Sequence, residues 1–356
     1  MEGPQDGECL FSKGEMARIF AELPLGESQL GEVYDAVNSS SGNGYDEEYM
    51  LSDLFLSPGS GVGDRALGTK AGNYSRPIRD MLTDYISERY GNTKAGAADA
   101  ERYLRSLSSS DLQIYWPYSE DWDGVTYPII TFDPGYGAES NYGYEWVLDD
   151  DGVRVLDSLL VTEETARCRP VWVINNNDDS AFTPLEMFTK ASSSSPQNKK
   201  CLKMKDFTMY RNYDSWFAGA SEFFIRMGAV DGFKATKDED LKLYSPSITD
   251  FSIVVKRKEL GKKIPFESIL LTDFTDQMDK FAFLITEDDG GTTTSWKCSA
   301  TVKYNSKSYG FDMDIPYKDK DDIVWRGQLS SSFLRENPGG LTYGRFGDVG
   351  ITFSLE

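Results

Sequence analysis

The chain has 356 residues, with 58 acidic and 37 basic side chains and a net charge of −21. That balance argues against phosphate-backbone recognition and against direct docking on an anionic membrane. It contains no histidine, which removes Ser-His-Asp and Cys-His catalysis, HExxH zinc sites and facial-triad iron together. With 39% hydrophobic and 13% aromatic residues it has the apolar material for packed cores, and its length predicts two or three domains.

Cys9, Cys168, Cys201 and Cys298 are scattered, with no CxxC pair. This speaks against a zinc cluster and leaves open both disulfides in an oxidising compartment and buried free thiols. No run approaches the roughly 18 to 20 apolar residues of a membrane span, so no transmembrane segment is expected. Met1 to Glu8 reads as a flexible leader, and a removed export signal would leave the same beginning.

Residues 10 to 107 read as helical. Ser12-Lys-Gly-Glu15 is a capping box, flanked by Phe11 and Met16 as a hydrophobic staple. Met16, Ile19, Phe20 and Leu23 keep helical spacing until Pro24 stops the run. A second helix is predicted over Ser28 to Val37, ending in the loop Asn38 to Gly44, and a third over Asp46 to Phe55. Pro77 opens the clearest helix, whose Ile78, Met81, Leu82, Tyr85, Ile86 and Tyr90 lie on one face before Gly91. Another covers Ala97 to Leu107. Gly59 to Gly63 reads as a loop, because no Lys-Ser/Thr follows it and no buried strand precedes it.

At Asp111 the texture changes to short β-branched or aromatic runs separated by turn residues. Strands are predicted over Leu112 to Trp116, Tyr127 to Phe132, Gly152 to Leu156 and Pro170 to Ile174. Lys190 to Lys200, rich in Ser and Lys, is the expected linker. About eight strands then follow: Lys205 to Tyr210, Glu222 to Met227, Phe251 to Lys256, Phe281 to Thr286, Ser299 to Tyr304, Tyr309 to Ile315, Ile323 to Gln328 and Gly350 to Leu355. Lys256 to Lys263 reads as an exposed hairpin end. The fold expected is thus α+β and multidomain: a helical domain over 1–110, a small aromatic-rich β domain over 111–195, and an antiparallel β-sandwich over 196–356.

The most site-like stretch is Phe281 to Gly291, an apolar strand running into the turn Glu287-Asp288-Asp289-Gly290. Three adjacent carboxylates repel unless water or a cation sits among them. Together with Asn212-Tyr-Asp214 and Gly219-Ala-Ser-Glu222, this layout resembles the C2 domain over residues 201 to 356. The resemblance implies calcium as cofactor, with Asp214 and Glu222 serving a first loop, Glu287 and Asp289 a third, and Asp288 beside them. Glu222 stands where the family has Asp, and Thr292-Thr-Thr-Ser295 lacks a further aspartate. The alternative, ordinary solvated turn residues, needs no ion.

A second constellation is aromatic. Trp116, Tyr118, Trp122, Tyr144 and Trp146 crowd one region with Asp123, as in sites that stack sugar rings beside hydrogen-bonding carboxylates, although the same residues also suit a small packed core. Paired carboxylates around Asp121 and Asp123 leave a glycosidase-like hydrolase as the rival to a non-enzymatic binding protein.

The whole layout resembles a family of uncharacterised exported (lipo)proteins of Bacteroidetes. The residues that carry it are Tyr45-Asp-Glu-Glu-Tyr49, Ser57 to Gly63, Leu112 to Gly124, Pro170 to Asn175 and Gly219 to Glu222. The resemblance implies export to the periplasm or cell surface, a lipid-attachment cysteine removed with the signal, and a protein or glycan partner.

Overall fold

The computed structural model describes residues 9–55, 74–91, 94–177, 200–337 and 340–356. The expected leader, the Gly59 to Gly63 loop and nearly all of the Lys190 to Lys200 linker lie outside them. The fold is mixed α/β with several antiparallel sheets, in two compact units: Met1–Asn177 with Asp214–Ala220, and Asp178–Tyr213 with Ser221–Glu356. All four cysteines are free thiols.

In the first unit, helix α1 (Lys13–Glu22) starts on the expected capping box, Ser12 and Glu15 bonding each other's backbone N–H. Helix α2 (Glu27–Gly42) runs on through the predicted loop because Val33, Ala36, Val37 and Ser40 continue its buried stripe. Asp46 to Phe55 is not a helix. Its centre is strand β1 (Glu48–Met50), paired antiparallel to β2 (Leu112–Tyr115), followed by a single 3-10 turn over Ser52–Phe55. The weak helical pattern there is overridden by backbone pairing with a buried strand. Helices α3 (Ile78–Tyr90) and α4 (Lys94–Ser108) follow, close to their expected bounds.

The sheet of this unit has the order β1-β2-β6-β3-β4-β5, with β3 (Ile129–Phe132), β4 (Ser140–Leu148), β5 (Arg154–Thr162) and β6 (Val171–Asn176). Among the described residues only its β3–β6 pairing is parallel. Side chains alternate between its faces. Ile114, Trp116, Ile130, Trp172 and Ile174 join the helices in one core, whereas Tyr115, Ile129, Val171 and Val173 point the other way. The helical and middle β regions, separated at residue 110 in the sequence reading, therefore share a core and form one unit.

The second face is covered by Ala166 of helix α5 (Glu163–Cys168) and by Trp216 and Phe217, both fully buried. Asn175 Nδ2 donates to the carbonyls of Phe217 and Ala218, Trp216 Nε1 donates to Glu139 O at 3.0 Å, and Ala220 N–H donates to Asp46 Oδ2 at 2.9 Å. Gly219 has φ +155°, and a Cβ there would sit 2.9 Å from the same Asp46 oxygen, so a larger residue would displace this anchor.

The second unit has one sheet of order β10-β7-β16-β15 and another of order β13-β12-β11-β8-β9, with β14 also paired to β11. Its strands are β7 (Leu202–Met209), β8 (Ser221–Ala229), β9 (Ser247–Val255), β10 (Ile264–Leu271), β11 (Met278–Glu287), β12 (Thr293–Tyr304), β13 (Lys307–Lys318), β14 (Asp322–Ser330), β15 (Leu341–Phe346) and β16 (Val349–Leu355). A short helix, α6 (Ser331–Arg335), follows β14. Phe281, Phe283 and Ile285 of β11 meet Phe207, Ile351 and Phe353 of the facing sheet in one core. The opposite side of β11, Ala282 and Leu284, is covered by Ile315 and Met313 of the β12–β13 hairpin. That hairpin turns at Asn305 and Ser306, both at positive φ (49° and 60°), the mark of a two-residue type I′ turn. Gly228 on β8 admits Met313, whose Sδ would lie 2.1 Å from a Cβ at that position.

Trp216→Ala removes a fully buried indole and is expected to cost roughly 3–5 kcal/mol, read as earlier thermal unfolding of the first unit. Glu32 offers a test by pH. Its buried carboxylate accepts the Ile78 N–H at 2.9 Å, and burial holds its pKa above the usual carboxylate range. A raised value in the folded state means that protonation favours folding. That contribution is complete below the ordinary glutamate value and is lost as pH rises through the raised one. Glu32→Gln keeps the acceptor without the charge, so it should leave neutral-pH stability equal or higher and flatten its pH dependence. Glu32→Ala strands the Ile78 N–H and should cost about 1–3 kcal/mol.

Candidate functional site

The site of the first unit begins with β4, a strand absent from the sequence reading. Its row Tyr142-x-Tyr144-x-Trp146-x-Leu148 faces Leu160, Ser158, Leu156 and Arg154 of β5. The connecting turn is closed by Asp149, whose Oδ1 accepts the N–H groups of Asp151 and Val153. This register puts Tyr144, Trp146, Arg154 and Leu156 on one face. The C-terminal end of α1 lies against it, and Trp146 Nε1 donates to Ala21 O at 2.9 Å. Thr126, Tyr127, Pro128 and Ile130 supply a further wall, leaving a cavity of about 450 Å³ whose lining is mostly apolar and also includes Phe20, Leu23, Pro24 and Leu25. Such a volume suits a small organic ligand.

The charged groups around this cavity are mostly paired off. Glu145 takes Arg169. Glu22 accepts from Arg18 at 2.9 Å and lies 3.7 Å from Arg89, while a hydrogen bond from Tyr85 holds its carboxyl below the usual range. Arg154 instead lies over aromatic faces, 5.2 Å from the ring centre of Trp146 and 5.7 Å from that of Tyr127.

A second cavity, of about 300 Å³, adjoins the first, with Thr126 and Arg169 lining both. Trp116, Tyr118, Trp122 and Asp123 line the smaller one, Tyr144 and Trp146 the larger. The six residues singled out from sequence thus divide between two neighbouring cavities. Trp116 is 1% exposed and packs edge-on against Tyr34, Trp122 and Trp172 at 5.9, 5.2 and 5.7 Å, which makes it chiefly a core side chain. Trp122 Nε1 is committed to Thr126 O. Tyr118, at a left-handed φ of 61°, donates its hydroxyl to Glu163 at 2.8 Å.

Asp123 accepts the N–H groups of Val125 and Thr126 and the Thr126 hydroxyl. These bonds, led by that hydroxyl, hold its carboxyl below the usual range. That is the chemistry of a turn-closing carboxylate, whereas the acid of a glycosidase is held above that range. Arg154, Arg169 and Tyr127 were missed from sequence. The alternation of Tyr142, Tyr144, Trp146 and Leu148 was the available signal, since the hairpin it implies sets Arg154 opposite Leu148.

The acidic residues of the C2-like reading are distributed by strand alternation. Asp214 belongs to the Asp214–Ala220 segment of the first unit. In the second unit, Glu287 continues the core-facing row of Phe281, Phe283 and Ile285 and is fully buried. Burial first, then Asp348 and other carboxylates including Glu287, push the Tyr213 hydroxyl up to about 12. One oxygen of Glu287 and one of Asp289 lie within 4.8 Å of each other.

Glu222 and Asp288 fall on the other face. Glu222 shares its row with Arg226, which bonds the Thr286 hydroxyl at 3.2 Å. Asp288, 2% exposed, is ion-paired to Lys318 at 2.9 Å. Beside it, burial and the Asp288 charge hold Asp321 above the usual carboxylate range.

Compared with protein-family models, with curated proteins and with solved structures, the chain matches none of them at a level that establishes relationship. No helix among the described residues is long and apolar enough to cross a membrane.

The two tryptophans should separate packing from binding. Trp116→Ala is expected to cost about 3–5 kcal/mol of stability. Trp146, 41% exposed, should cost only about 1–2 kcal/mol when replaced by Ala. Thermal unfolding of the two variants checks the contrast.

Proposed function

We propose that this chain is a non-enzymatic binding protein, exported to the periplasm or cell surface, that holds a glycan or a protein-borne group in the cleft of its first unit. The observation that carries the reading is the pair of adjoining cavities lined by Tyr118, Trp122, Tyr144 and Trp146. Their ring faces offer apolar contact, while Asp123, Thr126 and Arg169 stand at the walls. Export is supported by the resemblance to exported Bacteroidetes proteins. A tryptophan-fluorescence titration against neutral and acidic oligosaccharides tests the cleft. Trp146→Ala should lower affinity at least about tenfold while the fold persists. Equal binding by the variant would move the ligand elsewhere.

For the second unit we propose a C2-like sandwich stabilised by calcium at the turn after β11. Glu287 and Asp289 are the fitting donors: hard carboxylate oxygens brought close together, one of them buried. Lys318 already neutralises Asp288, so Asp288 and Glu222, on the opposite face, contribute less to this reading, and Asp214 is retained as the family resemblance implies. Unfolding in EDTA and then in about 1 mM calcium should show a rise of several degrees. Asp289→Ala should abolish that rise, and its survival would exclude this turn.

A further inference from the structure

We infer that the larger cavity of the first unit takes a small organic anion with an apolar or aromatic body, its carboxylate held by Arg154. This rests on the reading of the cleft as a ligand site and narrows the ligand's chemistry. The argument comes from pairing the charges that line the cavity. Glu145 is matched by Arg169 and Glu22 by Arg18 and Arg89, which leaves Arg154 as the lining cation with no carboxylate partner among the described residues.

The contacts that Arg154 does make are to the rings of Trp146 and Tyr127. A guanidinium resting on aromatic faces is held in place without using its in-plane N–H groups, which stay available as a fork for a carboxylate. The rest of the lining selects the body of the ligand. Phe20, Leu23, Leu25, Ile130 and Leu156 offer dispersion contact and no hydrogen bonds, which suits an aryl or branched alkyl group better than the hydroxyls of a neutral sugar. The C-terminal carbonyls of α1 do not cancel the positive end. Ala21 O already accepts from Trp146 Nε1, and the Ile19 and Phe20 carbonyls accept from Leu23 N–H.

The test is calorimetric titration of the full chain with 4-phenylbutyrate, with its primary amide, and with a set of neutral oligosaccharides, at low ionic strength. The carboxylate should bind at least about tenfold more tightly than the amide, and added salt should erode the difference. Arg154→Met should abolish the preference, and because Arg154 is exposed the variant should still fold. Trp146→Ala should weaken both ligands. Equal binding of carboxylate and amide, or a preference that survives Arg154→Met, overturns the inference. Binding of a neutral oligosaccharide alone also overturns it but leaves the cleft as a ligand site. If none of the three binds, the inference falls, and so does the glycan half of the reading of the cleft.

Discussion

A sheet buried on both faces needs two covers, and in the first unit they come from different parts of the chain. The helices supply one, through Ile114, Trp116, Ile130, Trp172 and Ile174. The other is completed by Trp216 and Phe217, from a segment distant in sequence. Without it, Tyr115, Ile129, Val171 and Val173 would face water, and aromatic burial of this size outweighs most single contacts in a domain. The anchors are polar and specific. Asp46 and Asn175 bind backbone groups of the segment, so its position is set by hydrogen bonds as well as by apolar area.

Double-sided burial also organises the second unit. Strand β11 sends Phe281, Phe283 and Ile285 into the main core and Ala282 and Leu284 beneath the β12–β13 hairpin. Its end is therefore drawn into the interior together with its carboxylates. Lys318 and Asp288 offset each other there, and Arg226 lies 3.3 Å from Asp250. Pairs of this kind add little net stability but penalise any register that separates them. The hairpin that covers β11 is thus tied to one alignment.

The cleft of the first unit follows from the same packing. Trp116 and Trp172 hold the sheet against the helices, which fixes the end of α1 opposite the β4–β5 hairpin. The space between them is lined by apolar side chains, and its acidic groups are paired. Arg154 supplies the remaining positive charge, so the selectivity of the cleft depends on one residue placed by a hairpin register.

Much of this was legible in the sequence. The capping box at Ser12, the helix from Ile78 to Tyr90, the strand Phe281 to Thr286 and most of the later strands depend on spacing and turn chemistry within a few residues of each other. The lack of histidine and the acidic balance narrowed the chemistry before any fold was known. Tertiary structure alone decided the rest. Alternation cannot tell a polar-edged strand such as β4 from a loop until its partner is present, and a seven-residue segment shows no sign of belonging to a distant core. Likewise, whether a carboxylate at the end of a strand faces the core, as Glu287 does, or meets a lysine, as Asp288 does, depends on which sheet and hairpin lie on each side. Local periodicity determined the elements, and long-range burial determined which of their residues can meet a ligand.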